Sequence, residues 1–373
     1  MPRYPLREPI KIVRMNMRFL RILAACLLLV CINQHAASQQ VAVTAYPTDR
    51  LPLPNIQRQG LNQTIELRVA HIINPRLPRM SDAQIAQMLN TMAQATQEHL
   101  GITVQFSKPV EIPIAAAFAS IPSKFEDLAK RNQYNFRSWF AWKSSLAKAY
   151  ARGLASEAEP LDEMALFAQK KGIKLDARNY EVFGKDLANL QLTRVHEWQQ
   201  LIAADGKSVI DDKPYHEYTM WGHLGYGNLP FEMVITNQII ASVEFIQPSV
   251  HTAIRDGYTN GLTSYNPHAR WGSFSVWSTF AFTSNDAQWL AWREGESYQS
   301  DEAAQLAGLA AVHELGHQLL HLLHPFGQKG CIMDPVPMFT YRAWALKLSA
   351  KDCPLGSSKA MTPGAHRFTY LIP

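Results

Sequence analysis

Four of the chain's 13 histidines, His313, His317, His321 and His324, fall in one short stretch, Ala310 to Pro325 (AAVHELGHQLLHLLHP). His313-Glu314-x-x-His317 sets two imidazoles four residues apart. On a helix that is about 40° of rotation and one turn of rise, so both rings can meet a single ion. Imidazole nitrogens suit a tetrahedral Zn2+. Glu314 is turned roughly 100° from His313, too far round the helix for an obvious ligand. It can still reach a water on the metal, where a general base is needed. The metal brings the pKa of that water from about 15.7 to about 7, a proton that a carboxylate can take. Val312, Leu315 and Gly316 are uncharged, and Leu306 to Val312 is almost wholly apolar, as a buried metal-bearing helix requires. A catalytic zinc also needs a third protein ligand and an open position. No glutamate follows Glu314, so a downstream glutamate ligand is excluded, and His321, His324, Asp334, Asp352 and His366 remain. No second Glu-x-x-His occurs, which removes a di-iron helical site.

The segment HELGHQLLHLLHP followed by GCIMDP resembles the metzincin metallopeptidases, in which HExxHxxGxxH precedes a methionine turn beneath the metal. The form Cys331-Ile332-Met333 is most similar to the archaemetzincin branch. The likeness in sequence spans Val312 to Pro335; beyond that it is one of architecture. It implies a zinc endopeptidase with His313 and His317 as ligands, Glu314 as the residue that activates the water, and Met333 as the turn methionine. The family's Gly and third His, seven and ten residues after the first His, correspond here to Leu320 and Leu323, with His324 one residue late. On a continued helix His321 would lie about 12 Å along the axis from His313, beyond one tetrahedral site. His324, followed by Pro325, fits a chain that has turned back, and is favoured over His321. The family's second, structural zinc needs further cysteines that are absent, so one Zn2+ is expected.

The elements that must position these residues read as an α+β fold: a metzincin-like domain over residues 65–373, with a mixed twisted sheet, an active-site helix and a helical insertion at about 120–205. Thr64 to Ile73 (TIELRVAHII) reads as a strand. A helix follows from Ser81, its N-cap, to Leu100, with Ile85, Met88, Leu89 and Met92 on one face and Gly101 ending it. Ile102 to Phe106 is a second strand, completing a β-α-β opening. Residues 120–205 carry aromatics at helical spacing (Trp139, Phe140, Trp142, Leu146, Tyr150) and read as packed helices. Strands return at Phe231 to Ala241 and at Ser273 to Thr283 (SFSVWSTFAFT). The second alternates cleanly, and either lies inside the sheet or offers an edge to an extended peptide. Gly257 to Trp271 reads as a turn-rich loop.

Of 36 basic and 31 acidic residues, six basic and one acidic lie within residues 1–38, so the rest is formally neutral. Nucleic-acid binding is therefore not expected. Residues 1–38 read as a signal peptide: basic residues to Arg21, an apolar run from Ile22 to Ile32, then small residues at Ala36, Ala37 and Ser38. That run is too short to span a bilayer comfortably, and lipid anchoring at Cys26 is the weaker alternative. An exported (secreted or periplasmic) protein with no stable membrane insertion follows. Residues 39–64 are polar and Pro-rich and read as an extended arm. After cleavage Cys331 and Cys353 remain, an even pair that suggests one disulfide. The expected function is zinc-dependent hydrolysis of peptide bonds in a peptide or protein substrate by a monomer. The alternative is a non-catalytic, metal- or peptide-binding exported protein on the same fold.

Overall fold

The computed structural model describes residues 43–44, 64–125, 147–148, 180–210, 213–241, 258–266, 268–320, 322, 330–334, 336, 339–350 and 369–370. The expected signal peptide, most of the arm, the aromatic run from Trp139 to Leu146, Tyr150, His321, His324 and Cys353 lie outside the described residues. The chain divides into two units. In the smaller, Val43–Thr44 pairs antiparallel with Thr369–Tyr370. The larger spans Ala45–Phe368 and is mixed α+β; it contains the histidine motif.

Strands β1 (Thr64–Leu67) and β2 (Val69–Ile73) run almost without interruption, broken only at Arg68. Helix α1 (Asp82–Leu100) then leads to β3 (Thr103–Phe106), which pairs parallel with β1. The β-α-β opening is thus present. The Ser81 side chain accepts from the Gln84 N–H while the Gln84 side chain accepts from the Ser81 N–H, a reciprocal box that satisfies two otherwise orphaned donors. Gly101 closes the helix at φ 69, a left-handed conformation suited to glycine. Ile85, Met88, Leu89 and Met92 are all buried, as the spacing predicts.

β4 (Val110–Pro113), a short α2 (Ile114–Ala119) and α3 (Tyr180–Trp198) follow, then α4 (Tyr218–His223), β5 (Met233–Thr236), β6 (Ile240–Ala241), β7 (Tyr258–Thr259), β8 (Gly261–Tyr265) and β9 (Ser273–Ser278). The main sheet has the order β4-β2-β5-β9-β8, parallel throughout except for β8, which runs antiparallel to β9 at one end. α5 (Phe280–Thr283), α6 (Ala287–Trp292), α7 (Ser300–Leu320) and α8 (Tyr341–Ala345) follow. No helix among the described residues is long and apolar enough to cross a membrane.

Two expectations change. The run from Ser273 stops as a strand at Ser278 and turns helical at Phe280, and all six strand residues are buried between β5 and β8. It is an internal strand, not an edge for a peptide. Its serines are buried rather than facing water: Ser275 meets Thr263 and Gln318, and Ser278 donates to the Gln238 carbonyl. The expected loop from Gly257 contains β8, whose Leu-Thr-Ser-Tyr core is obscured in the sequence by the turn-favouring Asn260 and Gly261 before it.

α7 is buried along most of its length from Ala303 to Leu320, packed between α1 and the sheet. Gly308 makes this possible, because a Cβ there would collide with the Met88 carbonyl oxygen. Just before β5, the fully buried Glu232 accepts from the Arg68 guanidinium at 2.6 Å and from the backbone N–H groups of Arg68 and Arg270. The Glu232 carboxylate thus ties the β1–β2 break and the loop before β9 to the start of β5. Burial by itself would raise the Glu232 carboxyl; the Arg68 guanidinium and the two backbone donors outweigh it and hold the group below its ordinary value of 4.5. A depressed carboxylate contributes stability above its unfolded pKa and loses it as pH falls through the folded one. Urea unfolding followed from about pH 6 to about pH 3 is expected to show a shallower acid loss of stability in Glu232→Gln than in the wild-type protein.

Candidate metal centre

α7 carries His313, Glu314 and His317 on its last two turns, with only 4%, 7% and 7% of their surfaces exposed. The two imidazoles converge: their ring centroids lie 4.6 Å apart at 85°, and the two Nε2 atoms stand 3.0 Å from one another. Each ring is fixed from behind. His313 Nδ1 lies 3.1 Å from the Ile332 carbonyl oxygen, and His317 Nδ1 lies 2.6 Å from that of Leu322. A carbonyl oxygen only accepts, so both Nδ1 atoms carry the proton and both Nε2 lone pairs are directed into the same space. Two acceptors at that separation repel unless a cation lies between them. Nitrogens 3.0 Å apart can share one ion at the usual zinc–nitrogen length of about 2.0–2.1 Å, and backbone carbonyls behind ligating imidazoles are the usual supports of such a site. The two imidazoles therefore fit two of the positions around a zinc ion.

Both supporting carbonyls come from beyond the helix. By Leu322 the chain has left helical geometry, and its N–H turns back to the Gly316 carbonyl at 3.2 Å. This fold-back delivers the Leu322 carbonyl to His317. Ile332 is delivered by a turn at Gly330–Asp334 that also carries Met333. Met333 is fully buried against Gly316, where an added Cβ would collide with its Sδ. Cys331 is disulfide-bonded and its Sγ accepts from the Met333 N–H at 3.4 Å; its expected partner, Cys353, lies outside the described residues.

Among the described residues no group of three or more His, Cys, Asp or Glu side chains could hold a metal ion. His313 and His317 make two. Asp334, the one described candidate for a third ligand, joins no such group, and His321, His324, Asp352 and His366 lie outside the described residues. Tyr341 is fully buried, its hydroxyl accepting from the Asn260 side-chain amide. Its phenol is held well above the ordinary range, first by burial and then by the neighbouring Tyr258.

Residues that the sequence did not single out surround Glu314. Thr263 on β8 donates to Glu314 Oε2 at 2.7 Å and lies 3.1 Å from the Glu314 carbonyl oxygen. Ser275 on β9 lies 3.1 Å from the Thr263 hydroxyl and 2.8 Å from Gln318 Oε1. Their only signal in the sequence is the small polar residues alternating along GLTSY and SFSVWS, which carry no fixed spacing from the helix motif.

Gly316→Ala is expected to push the Met333 turn, and with it the Ile332 carbonyl, away from His313. Zinc affinity measured by chelator competition should fall about 10–100-fold, although alanine favours a helix more than glycine does. Comparison of the chain with protein-family models, with curated proteins and with solved structures finds no match.

Proposed function

We propose that the chain is an exported zinc-dependent endopeptidase of the metzincin type. The observation that carries this reading is the convergence of the His313 and His317 Nε2 atoms at 3.0 Å, with both Nδ1 atoms committed to backbone carbonyls. The order of elements also supports it: a β-α-β opening, a sheet with one antiparallel strand at its end, a buried helix bearing HExxH, and a turn that seats Met333 under that helix. His324 is proposed as the third ligand, because the chain turns back towards α7 at Leu322, with His321 as the alternative.

A zinc ion bound here supplies Lewis acidity, lowering the pKa of water in its coordination sphere to about 7 and polarising a carbonyl. His313 and His317 hold it in the orientation set by the Ile332 and Leu322 carbonyls. Glu314, one residue past the first histidine, is held at Oε2 by Thr263 and is the proposed general base. Its carboxylate takes the proton of the attacking water and passes it to the departing amide nitrogen. The low exposure of the three side chains keeps bulk water from competing for that proton and strengthens every charge interaction in the site.

Glu314→Gln is expected to retain zinc, measured by elemental analysis of the purified protein, while cleavage of a denatured protein substrate falls by at least about 100-fold. Equal cleavage by this variant would refute the mechanism. His324→Ala is expected to lose zinc and His321→Ala to keep it; the opposite pattern would transfer the third ligand to His321.

A further inference from the structure

Strand β8 bears on Glu314 at two points, and on this strand residues two apart share a face. At Gly261, a Cβ would stand 2.8 Å from Glu314 Cγ, 2.7 Å from Trp277 Cε3 and 2.8 Å from the Val276 carbonyl oxygen. The strand therefore lies directly against the stem of the glutamate. Two residues on, the buried Thr263 hydroxyl meets the carboxylate at Oε2, 2.7 Å away.

A polar layer lies behind this hydrogen bond. Gln318 Nε2 donates to the carbonyls of Glu232 at 3.0 Å and Ser273 at 3.2 Å. Both amide protons are thereby used, and Gln318 Oε1 is presented to Ser275, whose hydroxyl donates to it at 2.8 Å. A carboxylate only accepts, so the Thr263 hydroxyl donates to Glu314 Oε2, its nearest acceptor at 2.7 Å; the Glu314 carbonyl oxygen and Ser275 Oγ lie farther off, each at 3.1 Å, and Ser275 Oγ is also 3.2 Å from that carbonyl. Two backbone carbonyls thus orient Gln318, whose Oε1 is the nearest acceptor for the Ser275 hydroxyl behind Thr263.

We propose that Thr263 is a positioning residue for Glu314: with Gly261 it forms a cradle on β8 that holds the carboxylate in the orientation needed to take a proton from water beside His313 and His317. This rests on the peptidase reading. The role belongs to the hydroxyl and not to the bulk of the side chain. Serine should therefore replace threonine, whereas valine, of the same shape, should not.

The test uses the full zinc-loaded chain as wild type, Thr263→Val and Thr263→Ser, with zinc content, kinetics on a quenched fluorescent peptide that the wild type cleaves, and crystal structures of all three. Thr263→Val is expected to keep its zinc and to lose about 10–100-fold in kcat with KM within about twofold. Its Glu314 carboxylate should be rotated away from β8, and Thr263→Ser should restore both rate and orientation. A Thr263→Val protein with wild-type kcat, or with Glu314 unmoved, would overturn the proposal. Loss of zinc from Thr263→Val would overturn it as well, by making Thr263 a support of the metal site rather than of the glutamate. Failure of the wild-type protein to cleave any peptide would sink the peptidase reading alone, and the crystallographic comparison would still decide whether Thr263 orients Glu314.

Discussion

Two imidazole nitrogens directed at one another across 3.0 Å, each with its opposite nitrogen bound to a main-chain carbonyl, form the arrangement on which the rest of the molecule's design turns. A helix can set two histidines on one face by spacing alone, but it cannot choose which ring nitrogen of each faces outward. That choice needs acceptors behind the rings, and the helix's own carbonyls are engaged in its ladder. The acceptors must come from chain that returns to the helix. This is why α7 has to end soon after His317, and why the turn carrying Ile332 and Met333 has to close under it. Termination of the helix is as much part of the site as the histidines are.

Returning chain can only reach the rings if the helix surface lets it approach. At Gly316 the absence of a side chain makes room for the Met333 sulfur, and at Gly308 it lets α1 lie against α7 backbone to backbone. Both positions sacrifice helix propensity, glycine being about 1 kcal/mol worse than alanine in a helix interior. The helix has a compensating gain in the buried apolar surface of Ala303 to Leu320. A rigid helix clamped on two sides suits a site whose two nitrogens must keep a fixed separation, because a rotation of either ring would cost its carbonyl hydrogen bond.

Much of this is legible in the amino-acid sequence alone. The Ser81 cap, the face of α1 formed by Ile85, Met88, Leu89 and Met92, and the stop at Gly101 follow from local rules of capping and period, and the structure has all of them. The pairing of His313 with His317 follows from the same geometry of one helical turn. What is not legible depends on partners distant in sequence. β9 alternates polar and apolar residues as a half-exposed strand does, yet both its faces are covered, and Ser275, which suggests solvent, faces an interior layer built with Thr263, Gln318 and Glu314. β8 reads as a loop because Asn260 and Gly261 are turn residues by preference. Here Asn260 bridges Tyr258 and Tyr341, and Gly261 is required by the closeness of Glu314. In both cases a tertiary contact selects the residue, and a local pattern cannot reveal it.

That interior polar layer bears on function in its own right. A buried hydroxyl without a partner costs about 1–3 kcal/mol, and an apolar layer of similar volume would hold α7 to the sheet at no such risk. Stability alone therefore gives little reason to place Thr263, Ser275 and Gln318 between the helix and β8 and β9. The layer nevertheless ends on backbone carbonyls at one side and on the Glu314 carboxylate at the other, so each of its members is oriented by the next. Its Thr263 hydroxyl donates to the one acidic side chain on the last two turns of α7. Packing alone has no use for fixing the orientation of that carboxylate, whereas the proposed transfer of a proton through it does.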